Sequence, residues 1–77
     1  SGITLLNLNN KNIADLTGIE DFTSITHLYL AGNPITTVNV SNMTNLYLLY
    51  CPHTGLTSLD ISLNTLLYNL NVESSAL

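Results

Sequence analysis

Basic side chains are all but absent from this chain: of its 77 residues only Lys11 is cationic, against five acidic residues, for a formal net charge of −4. Binding to nucleic-acid phosphates needs clustered lysine and arginine, so that class of partner is excluded. Charge of either sign is scarce, at 8% of residues, where ordinary soluble proteins carry roughly a quarter. The polar surface therefore falls to Asn, Thr and Ser, which turns consume for backbone hydrogen bonds. Long apolar runs are missing too. The longest, Leu46 to Cys51, is far short of the roughly 18 residues a spanning helix needs, which argues against membrane insertion. No basic start precedes an apolar stretch, so the signal of an exported protein would have been removed or lie outside this segment. Cysteine is limited to Cys51, which rules out an intramolecular disulfide and says little about redox compartment.

What the chain does have is leucine and isoleucine at spacings that suit neither a lone strand nor a helix. In residues 55 to 72 they stand at Leu56, Leu59, Ile61, Leu67 and Leu70. Self-comparison accounts for the gaps. Written as lines starting at Ile3, Ile25, Leu46 and Leu67, the chain aligns its apolar columns. The lines run Ile3, Leu6, Leu8, Ile13, Leu16, Ile19, Phe22; then Ile25, Leu28, Leu30, Ile35, Val38, Val40, Met43; then Leu46, Leu49, Cys51, Leu56, Leu59, Ile61; and finally Leu67, Leu70, Val72. The period is 22, 21 and 21 residues, giving repeats 3–24, 25–45, 46–66 and a partial 67–77.

That period, with the core L-x-x-L-x-L-x-x-N-x-L, is the leucine-rich repeat pattern, and "ITHLYLAGNPI" matches it closely. The expected fold is an α/β solenoid of about three and a half coils. A parallel sheet lines its concave face, with short irregular or 3-10 return segments behind. Residues 1–77 form one repeat segment, in a size range where a single core is marginal without support. "IADLTGIEDFTSITHLYLAGNPIT" resembles the opening repeats of internalin-type bacterial surface proteins. "LYLLYCPHTGLTSLDISLNTLLYNL" resembles the cysteine-containing 21-residue subclass, also found in secreted proteins of Bacteroidota. Cys51 alone occupies the cysteine column, which Leu8, Leu30 and Val72 fill elsewhere. Asn33 stands where the family buries an asparagine against the turning backbone; Lys11, Thr54 and Ser75 hold that position in the other lines.

By alternation along each strand, Leu5, Asn7 and Asn9; His27, Tyr29 and Ala31; Leu48, Tyr50 and Pro52; and Asn69, Asn71 and Glu73 point out of the concave face. Tyr29 and Tyr50 share a column with His27 and Leu48 beside them, and Tyr47 and Tyr68 form the next. The patch is flanked by Asn7, Asn69 and Asn71. Tyrosine is large, rigid and able to hydrogen-bond, hence enriched in binding hot spots; it also fills cross-strand columns for stability alone. A glycan would be held by rings stacked on pyranose faces and asparagines bonded to hydroxyls, and a protein ligand would fit the same residues.

Catalysis finds little support. Cys51 takes an inward column, where a thiol is a small buried hydrophobe, and His53, beyond Pro52, has no third group at a recognisable spacing. Two such ligands make no zinc or iron motif, and no Asp-rich periodic motif offers calcium a cage; no metal or cofactor is expected. Asp60 reads as a side-chain cap on its turn, with Asn39 its equivalent, while Asp15, Glu20 and Asp21 fall in the first return segment. Asn39-Val40-Ser41 and Asn42-Met43-Thr44 are formal glycosylation sequons. The resemblance implies a non-enzymatic recognition or adhesion module on the bacterial surface or secreted, binding a protein or glycan. Neither end shows a polar capping unit, so the segment belongs to a longer array or acts as a spacer whose open coils self-associate end to end.

Overall fold

The computed structural model describes residues 2–77. Four three-residue strands, β1 (Leu5–Asn7), β2 (His27–Tyr29), β3 (Leu48–Tyr50) and β4 (Asn69–Asn71), pair in chain order into one parallel sheet. Leu6, Leu28, Leu49 and Leu70 stand opposite one another, and so do Leu5, His27, Leu48 and Asn69, and Asn7, Tyr29, Tyr50 and Asn71. Each strand is one repeat further along the chain, so a single turn of backbone carries every column to the next coil.

Pairing continues past the strands. Asn10, Gly32 and His53 donate their N–H to the carbonyls of Ala31, Pro52 and Glu73 in the following coil, at 2.7–3.0 Å. To aim those groups the chain turns through the left-handed region at the same place in every coil, with φ of 55° at Asn10, 70° at Gly32, 57° at His53 and 58° at Ser74. Glycine fits that conformation without steric cost. At Gly32 an added Cβ would also push aside the Asn10 side chain. Ala31 and Pro52, expected to point outward, are buried. The strands end before them, at Tyr29 and Tyr50, and the turn folds over both residues. Ala31 gives its N–H to Asn9 Oδ1 at 2.8 Å. Proline can stand at the next coil's equivalent position because it has no N–H to place, and Ala31 has no side-chain acceptor to offer.

Asn33 is the polar hub. Only 1% exposed, its Oδ1 accepts the N–H groups of Lys11 and Ile13 at 3.0 Å. Its Nδ2 donates to Leu8 O and Leu30 O at 2.9 Å and to Ala31 O at 3.2 Å. One side chain thus satisfies turning backbone in two coils. Thr54, in the same column, reproduces one of these bonds, Oγ1 to Cys51 O. On the return side each coil closes with successive three-residue turns: Ile19 and Phe22 donate to Leu16 O and Ile19 O, Met43 and Leu46 to Val40 O and Met43 O, Asn64 and Leu67 to Ile61 O and Asn64 O. The longer first return holds a 3-10 turn, Ile19–Asp21. Asn64 takes the column of Phe22 and Met43. It is buried, gives Nδ2 to Val40 O and Met43 O at 2.9 Å, and its Oδ1 has no donor. Leu67 N and Met43 N bond within their own turns, so this asparagine is a second stitch between coils.

Ile25, Leu28, Leu30, Ile35, Val40, Met43, Leu46, Leu49, Cys51 and Leu56 are 0% exposed. All belong to the two middle coils, which neighbours cover on both sides. Leu6, Leu8, Ile13, Leu16 and Phe22 of the first coil, and Leu67 and Val72 of the last, are only partly buried against this core. A repeat with one neighbour buries one side of its apolar layer, as solenoid stacking requires.

Candidate binding surface

The concave rows lie where alternation places them. His27 and Leu48 are half-buried between the exposed Leu5 and Asn69, and Tyr29 and Tyr50 are half-buried between Asn7 and Asn71. The Tyr29 and Tyr50 rings meet at 5.8 Å between centroids, tilted by 60°, within the separation at which aromatic pairs attract.

A second ladder runs beside the first. Tyr47 and Tyr68 stack at 5.4 Å and 11°, and the His27 ring leans onto Tyr47 at 5.8 Å and 44°. Sequence alternation set His27 beside Leu48 and Tyr29; its ring contact with Tyr47 is the part it missed. Tyr47 enters the strand one residue ahead of Leu48, and the N–H groups of both converge on Thr26 O, at 2.8 and 3.0 Å. That fork draws Tyr47 against the start of β2. His27 is pinned from the other side by Thr26, whose Oγ1 lies 2.8 Å from His27 Nδ1 and donates to Thr4 O at 3.1 Å.

The flanking asparagines are oriented by their own backbone. Asn7 Oδ1 accepts the N–H of Asn9, and Asn71 Oδ1 that of Glu73, both at 3.0 Å. The carbonyl ends are thereby held and the amide N–H groups are free for a ligand. Glu73 is the one charged residue among the described concave positions. The surface thus joins two aromatic ladders, the apolar side chains of Leu5 and Leu48, and amide donors, with almost no charge.

Cys51 and His53 diverge. Cys51 is buried and its thiol is pushed up to about 11 by desolvation, while His53 is exposed on the left-handed turn. Asp60 acts as a turn cap: its Oδ1 accepts Ser62 N at 2.9 Å, as Asn39 Oδ1 accepts Ser41 N at 3.1 Å. Asp15 is a third such cap, accepting the hydroxyl and N–H of Thr17 at 2.6 and 2.9 Å. The D-x-[ST] pattern shared with Asp60 was the signal for it. Hydroxyl first and amide second, Thr17 and Ser62 hold the Asp15 and Asp60 carboxyls below the usual range. No helix is long and apolar enough to cross a membrane.

Stacked coils of 21 or 22 residues, inward leucine columns, a parallel concave sheet and a buried asparagine bridging coils define a leucine-rich repeat solenoid. The particular kind is internalin-like. The chain is similar to the solved functional domain of InlJ from Listeria monocytogenes, which includes a cysteine ladder, with 42% identity, a TM-score of 0.91 and 94% of this chain covered. It spans 16% of the length of that chain. No protein-family model and no curated protein matches the chain. In this chain the ladder column is reduced to Cys51, with Leu8, Leu30 and Val72 packing in its place.

Proposed function

We propose that the chain is a non-enzymatic recognition module that binds a protein partner through its concave sheet, as part of a secreted or surface-held bacterial protein. His27, Tyr29, Tyr47, Leu48, Tyr50 and Tyr68 form the centre of the contact, with Asn7, Asn69 and Asn71 as hydrogen-bonding flanks. The supporting observation is the ring packing. Tyr47 stacks on Tyr68 and meets the tilted His27 ring, and the two tyrosines still stand 45% and 80% exposed, as one connected set of rings. A protein segment can pack on such exposed ring edges and bond to their hydroxyls, as tyrosine hot spots do. Near-absence of charge fits a partner surface that is itself apolar and uncharged, since unpaired charges at an interface core are costly. Likeness to an internalin domain is consistent with recognition outside the cell.

The test is binding of the chain to immobilised purified extracellular host proteins and, in parallel, to a neutral glycan array. Tyr50→Ala and Tyr47→Ala should each weaken a protein hit at least tenfold, and Asp60→Ala, on the return side, should not. Binding that survives both tyrosine changes would refute the concave-face reading. A hit on glycans alone that only Tyr68→Ala removes would replace the protein partner with a sugar.

A further inference from the structure

In its two middle coils the concave sheet offers a ligand side chains and no free backbone. β2 and β3 are each paired on both sides, so an incoming strand cannot add to them as β-augmentation requires. Capture of a phosphorylated or acidic motif needs an arginine cluster, and the chain's one cation is Lys11. An amphipathic helix needs a continuous apolar track, whereas the central column runs Leu5, His27, Leu48, Asn69. The common mode that remains is recognition of a polyproline II segment by an uncharged, aromatic surface. Tyr29, Tyr47 and Tyr50 supply that surface in the middle coils, where neighbours on both sides fix their positions.

We infer that the concave face binds an uncharged, proline-rich segment of its partner in polyproline II conformation, laid across the strands so that it packs on Tyr29 and Tyr50 and gives its carbonyls to Asn7 and Asn71. The inference rests on the concave-face reading above and names that partner's chemistry. Hydrogen bonding agrees with it. Oδ1 of Asn7 and of Asn71 is engaged by the N–H of Asn9 and of Glu73, so the side-chain N–H groups are what these two residues present. With the tyrosine hydroxyls they make the face rich in donors. A proline-rich segment is complementary, because proline has no N–H and a polyproline II backbone makes no internal hydrogen bonds, which leaves its carbonyls to accept.

Spacing agrees as well. Neighbouring strands lie ~4.8 Å apart, so equivalent residues of every second coil lie ~9.6 Å apart. A polyproline II helix has three residues per turn and a rise of ~3.1 Å, so its face recurs at ~9.3 Å. An extended strand repeats its face at ~6.7 Å, between one coil and two. An α-helix repeats at ~5.4 Å and drifts from the strands by ~0.6 Å at every coil. A segment with one residue on Tyr29 therefore brings the third residue after it to Asn71, two coils on, and Asn7 and Tyr50 are related in the same way. Each pair joins one ring to one amide donor.

Titration of the isotope-labelled chain with capped dodecaproline, followed by amide NMR shifts, tests it. Shifts should gather in β2 and β3 and spare the return side around Asp60. A capped alanine-glutamine peptide of the same length should bind at least tenfold more weakly. Tyr50→Ala should weaken dodecaproline at least tenfold. Asn7→Asp, an exposed change that turns a donor into a charged acceptor, should weaken it too, and circular dichroism establishes that both variants are folded. No shift at about 1 mM dodecaproline, or equal binding of the alanine-glutamine peptide, would overturn the inference. A host protein that depends on Tyr50 for binding but is not displaced by dodecaproline would overturn it and leave the concave-face reading standing. Binding that survives both Tyr47→Ala and Tyr50→Ala would remove that reading and this inference together. Shifts in β2 and β3 produced by cellotetraose and not by dodecaproline would overturn it in favour of a sugar.

Discussion

Replacing Asn33 with alanine is the sharpest test of how the coils are held. The change removes one side chain and five hydrogen bonds: two accepted from Lys11 and Ile13, three donated to Leu8, Leu30 and Ala31. Ala31 O retains the N–H of Asn10, so its loss is minor. The two backbone donors are left facing a space the size of the missing amide, and an unsatisfied buried group costs about 1–3 kcal/mol. Lys11 is exposed and Ile13 half-buried, so water reaches part of this site and the lower half of the range applies. Two donors and two stranded carbonyls, Leu8 O and Leu30 O, at about 1 kcal/mol each, then give roughly 4 kcal/mol. Total stability expected for a domain of this size is about 4–11 kcal/mol, so this one change removes a third or more of it. Urea unfolding followed by tyrosine fluorescence and by circular dichroism should show the midpoint falling at unchanged slope. Asn33→Asp separates the two halves of the network: it keeps the acceptor for Lys11 and Ile13 but sets a carboxylate against three carbonyls. It should destabilise at least as much as alanine. A loss below about 1 kcal/mol for Asn33→Ala would refute the view that this side chain joins two coils.

Leu28→Ala or Leu49→Ala, each deleting a wholly buried side chain, should cost about 2–5 kcal/mol, while Tyr50→Ala should leave the fold largely intact; equal losses in urea unfolding would show the strand register to be wrong. His53→Gly relieves a left-handed histidine and should raise the melting temperature, by up to about 1 kcal/mol of stability. Gly32→Ala should lower it, since the new methyl meets Asn10. The Cys51 thiol, pushed up to about 11 by burial, should react with aromatic disulfide reagents only as fast as the chain unfolds; labelling at the rate of a free thiol would refute its burial. Because the unfolded thiol ionises near 9 and the folded one near 11, stability is fully present below about pH 9 and declines as pH rises through that window, an effect that Cys51→Ala should abolish.

The strand positions, their register and the two outward columns were legible because a 21-residue period states them directly. Leu6, Leu28, Leu49 and Leu70 could not be brought opposite one another by any other winding. Asn33 and the cap at Asp60 were legible for the same reason, each occupying a column with a defined backbone task. Asn64 was not picked out, because its column holds Phe22 and Met43 in the earlier coils and so reads as apolar. Its role depends on two carbonyls that only stacking brings within reach.

Period by itself determined the class of fold and the inward and outward faces, because each follows from residue type at a fixed spacing. Tertiary structure alone decided which rings touch, since His27 meets Tyr47 through a hydrogen-bond fork at Thr26 that no spacing reveals. It also decided that Ala31 and Pro52 are covered, because the strands end two residues before them and the left-handed turn folds back over the sheet. A repeat specifies columns. How far a side chain leans out of its own column depends on the neighbour it finds there.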